Sequence, residues 1–205
     1  MKILVVNTAS LEAQLALLCE NEKIYKTLDA SMKHSENLLP EIEKLLSLNK
    51  IKVKDLDAIA VNVGPGSFTG LRISIATVKA FLNVFSNIKC IGITSFELIA
   101  NEFYKNNNEK ASVVIDALSN LFYLQTFENN KPTSEAKLIS KEEMLSLENV
   151  VSDNSIENEK TTVVNLTCEN LLDVAINKFN KKVFVSESEL LPLYIRPSQA
   201  ETNRK

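Results

Sequence analysis

Apolar residues fall into short runs separated by polar punctuation, and the runs define the elements. Residues 3–8 (ILVVNT) form a continuous, valine-rich run, the pattern of a strand buried on both faces. Residues 14–19 repeat it five residues later, and 22–28 alternate more clearly. The chain thus opens with three strands, the first two joined by the short loop 9–13. The period then changes. Leu38, Leu39, Ile42, Leu45 and Leu46 recur at the helical three-and-four spacing behind Ser35, which reads as the N-cap. Pro40 falls in the second turn, where its missing N–H predicts a bend. Residues 58–63 form another buried strand, 67–86 a long helix and 89–93 a strand. Thr94 or Ser95 then caps a helix running to Phe103.

The second half restarts this order. Residues 112–117 and 121–127 read as paired strands around a Leu-Ser-Asn turn. Ser140 and Glu143 have capping-box spacing ahead of 144–147. The polar stretch 151–160 reads as a loop, 162–166 as a strand and 169–179 as a helix. The openings ILVVNT and SVVIDA look alike. This weak repeat predicts an α/β chain of two lobes, 1–101 and 111–200. The Asn-rich linker 102–110 would join them, and 201–205 would form a frayed tail.

Charge and composition narrow the function. A net charge of −3 argues against nucleic-acid binding by this chain alone, and only three of its 23 basic residues are arginines. No window approaches 18 uninterrupted apolar residues, so no membrane-spanning helix is expected. The first apolar run is too short for a secretory signal, so the expected location is cytoplasmic. Cys19, Cys90 and Cys168 lie far apart with no CxxC spacing, the usage of buried thiols in a reducing compartment. His34 is the one imidazole, which excludes HExxH and paired-histidine metal sites. A Ser-His-Asp arrangement would have to use it, and no GxSxG elbow accompanies it.

Three of the four glycines, Gly64, Gly66 and Gly70, fall in GPGSFTGLR between a strand and the long helix. With Ser67, Thr69 and Arg72 they form a candidate loop. Glycine there permits positive φ and close backbone approach, and such a turn can present N–H groups to an anion. No Lys-Ser/Thr follows and the spacing is GxGxxxG, so this is neither a P-loop nor a dinucleotide fingerprint. Two readings stand: a packed connection, or a loop that touches nucleotide. The helix that follows is apolar on two sides. Leu71, Ile75, Val78, Leu82 and Phe85 form one stripe. Ile73, Ala76, Ala80 and Val84 form another, with Arg72, Lys79 and Asn83 between them. Both faces need burial. The second meets either a neighbouring helix of the same chain or another subunit, and its small residues permit close approach.

These residues carry a resemblance. The run NVGPGSFTGLRISIA, the opening ILVVNTAS, HSENLLPEIEKLL, VIDALSNLFYLQTF and the closing PLYIRPSQA are similar to the TsaB (YeaZ) family. The likeness is good over 1–127, weak over 190–200 and slight over 132–190. It implies a two-lobed actin-like/RNase H-like ATPase (ASKHA) fold with duplicated βββαβα topology and a reduced second lobe. It implies a non-catalytic scaffold that binds the transferase TsaD and works with the ATPase TsaE. Together they would make N6-threonylcarbamoyladenosine next to the tRNA anticodon, with tRNA reached only through the complex. The partner-binding helices would be 35–48 and 67–86, with Leu38, Leu39, Ile42, Leu45, Leu71, Ile73, Ala76, Ala80 and Val84 at the interface.

The resemblance also implies what this chain lacks. Catalytic relatives hold a metal with two histidines four apart, opening the helix after the strand that matches 90–93. Here that place reads Thr94, Ser95, Phe96, Glu97, Leu98, Ile99, and neither position supplies an imidazole. His34 has Leu38 four residues on, so its expected role is capping or packing at the helix start. Asn7 stands where relatives often carry Asp, and Leu118 where many carry Arg, although Asp116 is kept. Hence no catalytic residue, metal or cofactor is expected of this chain alone; ATP or ADP with magnesium would belong at a complex interface. Two alternatives stay open: an independent ATPase or peptidase using Asp116, Asp57 and Glu12, and a homodimeric module using the same helix face.

Overall fold

The computed structural model describes residues 1–29 and 33–195. The end of the closing segment, 196–200, and the expected tail, 201–205, lie outside the described residues. The chain divides into two units, Met1–Ser95 with Thr167–Pro192 and Phe96–Leu166 with Leu193–Lys205.

In the first unit the strands are β1 (Lys2–Asn7), β2 (Ala13–Cys19), β3 (Glu22–Leu28), β4 (Ala58–Gly64) and β5 (Lys89–Thr94). Among the described residues they form one sheet in the order β3-β2-β1-β4-β5. β2 is antiparallel to β1 and β3, while β1, β4 and β5 run parallel. Two helices, α1 (His34–Leu48) and α2 (Phe68–Val84), link the parallel strands. Leu4, Val6, Leu15, Leu17, Ile59 and Val61 share a core with Leu38, Ile42, Leu45 and Leu46 of α1 and Ile75 and Val78 of α2. Intervening residues such as Ile3 and Val5 are fully buried too, so both faces of the sheet are covered. That is why β1 reads as an unbroken apolar run.

The second unit has α3 (Ser95–Phe103), whose first residue still belongs to the first unit, and then β6 (Ala111–Asp116) and β7 (Leu121–Glu128). Next come β8 (Lys131–Pro132), β9 (Lys137–Ser140), α4 (Lys141–Leu145), β10 (Val150–Ser152) and β11 (Thr161–Val163). The order β11-β10-β6-β7, with β8 and β9 on the free side of β7, repeats the first sheet. β6 and β7 are antiparallel; β6, β10 and β11 are parallel. The duplicated α/β topology is therefore present. The second copy is reduced: its last two strands have three residues each and α4 has five.

The final helix, α5 (Cys168–Asn180), packs against β1, β2, β3 and β5 and so belongs to the first unit, not to the second as the sequence order implied. Conversely, Phe96, Ile99, Ala100 and Phe103 of α3 join Ala111, Val113 and Phe127 in the second unit's core. The unit boundaries fall at residues 95/96, 166/167 and 192/193 instead of at the polar stretch 102–110, which opens on the last two residues of α3. An apolar helix face goes to whichever sheet offers apolar surface, and sequence adjacency does not decide which.

Two smaller expectations are corrected as well. Lys33, in extended conformation, is the residue before α1, so Ser35 lies inside the helix and caps nothing. The short strand β10 occupies the start of the stretch read as a loop, where Val150 and Val151 are buried between β6 and β11. The Ser140–Glu143 capping box is formed as expected.

Candidate functional site

The ends of β1 and β4 place two amides side by side. Asn7 and Asn62 follow the paired residues Val6 and Val61, and both are buried. Asn62 Nδ2 donates to Asn7 Oδ1 at 3.0 Å and to the Ser95 hydroxyl at 3.1 Å. The Asn7 oxygen also accepts from Ala9 N, and its Nδ2 donates to Gln14 Oε1 at 3.0 Å. Asn62 Oδ1 accepts from Gly64 N at 2.8 Å. Every amide oxygen here is engaged by protein donors, and none carries charge. A divalent cation needs free oxygen lone pairs, preferably anionic ones, so this donor set does not fit a magnesium–nucleotide group. Sequence reading singled out Asn7, and Ser95 only as a helix cap and at the place of the relatives' histidines; Asn62 joins them through the sheet register.

The glycine loop packs on the same strand end. The backbone N–H of Ser67 donates to Ala9 O at 2.7 Å, and Thr8 Oγ1 donates to Gly70 O at 2.7 Å. A Cβ on Gly70 would lie 1.8 Å from the Thr8 carbonyl oxygen, and one on Gly66 2.6 Å from Ala9 O. Gly64 has φ +103°, a backbone that side chains oppose. The glycines thus permit close approach of two backbones. Ser67 caps α2 by accepting from Gly70 N. Thr69 is exposed, and Arg72 lies with its guanidinium carbon 3.9 Å from the centroid of the Phe68 ring. His34 opens α1, with its Nε2 3.0 Å from Leu11 O, tying the 8–12 loop to that helix.

The two faces of α2 have different fates. Leu71, Ile75 and Val78 are buried in the first unit's core, with Leu82 and Phe85 packed at its margin. The other stripe is mostly exposed, with Ile73 packed at the margin of that core. Ala76 and Ala80 are exposed, Ile73 is half-buried and Val84 is 72% exposed. On α1, Leu39 is 53% exposed. Four residues expected at the interface are corrected: Leu38 and Ile42 are each 1% exposed, and Leu45 and Leu71 are also buried. They belong to the hydrophobic core of their own unit and offer no surface. What remains available is Leu39, Ile73, Ala76, Ala80 and Val84, to which the structure adds Phe68 at the head of α2.

The carboxylates considered for catalysis do not form a set. Asp57 precedes β4 and accepts from Lys2 N at 2.7 Å, at the end of the sheet opposite Asn7. Glu12 is exposed beside β2. Asp116 accepts from Leu118 N at 2.7 Å in the second unit. It lines a cavity of about 300 Å³ with Asn120, Lys141 and Glu157, the last two being ion-paired to each other. Among the described residues no three His, Cys, Asp or Glu side chains converge as a metal-binding group. Among the described residues no helix is long and apolar enough to cross a membrane. Cys90 is a buried thiol, and desolvation pushes its pKa up to about 12.

Comparison with known proteins identifies what this chain is similar to. The family model for TsaD, tRNA N6-adenosine threonylcarbamoyltransferase, matches residues 27–197. The tRNA threonylcarbamoyladenosine biosynthesis protein TsaB of Haemophilus influenzae is 26% identical, with 95% of this chain and 93% of that protein covered. The TsaB protein of Buchnera aphidicola from Schizaphis graminum is 32% identical over 55% of this chain. The matched stretch spans about half the length of that relative, 53%. Among solved structures, YeaZ from Pseudomonas aeruginosa superposes with a TM-score of 0.77 at 20% identity. The superposition covers 94% of this chain and 99% of that one, which shows the shared two-lobed fold.

Proposed function

Given that the chain belongs to the TsaB family, we propose that it takes part in tRNA threonylcarbamoyladenosine biosynthesis as a non-catalytic scaffold. In this reading it docks the transferase TsaD and, with TsaE, supports modification next to the anticodon. It reaches tRNA through the complex and works in the cytoplasm. It needs no cofactor of its own; ATP or ADP with magnesium would sit at an interface of the assembly.

The observation that carries this reading is the divided burial of α2. A helix in water rarely keeps Ile73, Ala76, Ala80 and Val84 in one stripe unless something covers it. The small side chains at positions 76 and 80 let a second helix approach closely. The neutral, internally bonded amides at positions 7 and 62 support the non-catalytic part. By the resemblance, Asn7 stands where this fold would carry the charged handle of a metal.

The test is Ala80→Glu in the full chain. The side chain is exposed, so the melting temperature should stay within about 2 °C of the parent. Co-purification with TsaD and the cellular level of the modified adenosine should both collapse. Retention of both at parental levels sinks the docking assignment. Magnesium-dependent ATP hydrolysis by the purified chain, lost in Asp116→Asn, would favour the independent enzyme instead. A stable homodimer whose mass does not change when TsaD is added would favour the self-association module.

A further inference from the structure

All four glycines of the chain lie in the first unit, at 64, 66, 70 and 92, and residues 96–166 have none. The two sheets share a plan. Asp116 ends β6 as Asn7 ends β1, and β10 runs parallel beside β6 as β4 runs beside β1. In the first unit the glycine loop after β4 closes on Thr8 and Ala9, just past the end of β1, backbone against backbone. In the second unit the segment after β10, residues 153–160, carries a Cβ at every position, so it has no place where two backbones can meet so closely. A cavity of about 300 Å³ stands there, between the 117–120 turn, Lys141 at the head of α4 and residues 155–157. Small-ligand pockets run from about 300 to 1,000 Å³.

The lining joins apolar surface to one unbalanced charge. Phe122 is buried, Ile156 is half-buried and Leu118 is 72% exposed. Lys141 is ion-paired to Glu157, so those two charges cancel. Asp116 accepts from Leu118 N at 2.7 Å and, among the described residues, is in no ion pair. Two carboxylates against one ammonium leave the cavity negative. Leu118, Ser119 and Asn120 are held at φ +64°, +57° and +59°, the left-handed region that opposes most side chains. Leu118 thus combines a disfavoured backbone with an apolar side chain in water, where asparagine or glycine would serve a plain turn better.

We propose that this cavity binds a primary alkylammonium group, with Asp116 receiving the ammonium and Leu118, Phe122 and Ile156 covering the methylene stem. A carboxylate and an ammonium make charge-assisted hydrogen bonds, and an alkyl stem with a charged head matches a wall that is apolar below one acid. Anions are disfavoured, because Lys141 is committed to Glu157 and the remaining charge repels them. A free polyamine and a lysine side chain of another polypeptide present the same group. The site lies within the second unit and owes nothing to the exposed face of α2.

The experiment follows backbone amide shifts of the nitrogen-labelled full chain while n-butylammonium chloride is added. Saturable shifts are expected at residues 117–122 and 155–157, with Kd on the order of 1–10 mM. n-Butanol, the stem without the charge, and ammonium chloride, the charge without the stem, should each bind at least about 5-fold more weakly. Asp116→Asn should raise Kd about 5-fold or more. Lys141→Met leaves Glu157 without its ammonium and should lower Kd about 3-fold. Leu118→Asn keeps a residue that tolerates the left-handed backbone and should raise Kd about 3-fold through the lost apolar wall. Unchanged shifts elsewhere in each variant show that its fold is kept.

Spermidine and Nα-acetyl-lysine N-methylamide separate the two sources. Tighter binding of spermidine assigns the site to free polyamines, and the reverse order assigns it to a lysine side chain of another polypeptide. Shifts that never saturate overturn the site. So does an Asp116→Asn Kd within twofold of the parent, since the acid then receives nothing. n-Butanol binding as tightly as n-butylammonium overturns the ammonium assignment, and weaker binding by Lys141→Met overturns the charge argument behind it.

Discussion

Thr8 and Gly70 are joined from both sides: the Thr8 hydroxyl donates to the Gly70 carbonyl at 2.7 Å, and the Thr8 carbonyl oxygen would stand 1.8 Å from any Cβ at position 70. The contact binds the end of β1 to the first turn of α2. Backbone lies on both sides, so no rotamer change relieves a larger residue. Gly70→Ala should therefore destabilise the chain by about 2–4 kcal/mol, read from urea unfolding. A change below about 0.5 kcal/mol would mean that the two segments separate readily.

Asn62 tests the amide network. It is buried and contacts Asn7, Ser95 and Gly64 N at once. Asn62→Ala takes the acceptor from the Gly64 N–H and one of two donors from the Asn7 oxygen, which keeps its bond from Ala9 N, and should cost about 1–3 kcal/mol of unfolding free energy. Hydrogen exchange at Gly64 should accelerate in the same variant. Unchanged protection at that amide would show that it does not depend on the side chain.

Cys90 gives a pH dependence. Desolvation pushes the folded thiol up to about 12, whereas an unfolded cysteine ionises near about 8.5. Above that lower value the unfolded chain has lost a proton that the folded chain keeps, so its contribution to stability falls as pH rises. The contribution is intact below about pH 8.5 and is lost at about 1.4 kcal/mol per unit up to pH 12. The measurement is the difference between the parent and Cys90→Ala in ΔG against pH. Parallel curves from pH 9 to 11 would refute it. The same thiol should resist alkylation at pH 8 until the chain unfolds.

Lys178 guards a sheet edge. Its Nζ donates to Gly92 O at 2.7 Å, on the side of β5 where Val185 N donates to Cys90 O. Lys178→Met removes a charge-assisted bond and leaves an edge carbonyl bare. The expected loss is about 1–2 kcal/mol, with more association on storage, read by calorimetry and light scattering. No change in either would mean that water replaces the ammonium at no cost.

Much of the architecture was legible because buried elements leave periodic marks. The runs around Val5, Ile59 and Ile91 are apolar at every position because each strand is covered twice. The two stripes of α2 could be counted along the chain, and Ser140 with Glu143 announced a cap that the structure contains. Val150 and Val151 gave too short a run to stand out beside a polar loop. The start of α1 was misplaced because Lys33, a residue with no capping side chain, precedes it. Leu38, Ile42, Leu45 and Leu71 carry the same apolar signal as Leu39 and Val84, so hydrophobicity by itself could not sort core from surface.

The sequence by itself determined most of the strands and helices, β1, β4 and α2 among them, and that the pattern is duplicated. These are properties of local period and composition, and every residue declares them without reference to distant ones. Tertiary structure decided the rest. It set Asn62 against Asn7, Thr8 against Gly70 and α5 against the first sheet, and it left one stripe of α2 mostly exposed. Those outcomes depend on contacts between residues 55 to more than 100 positions apart, which a one-dimensional pattern does not encode.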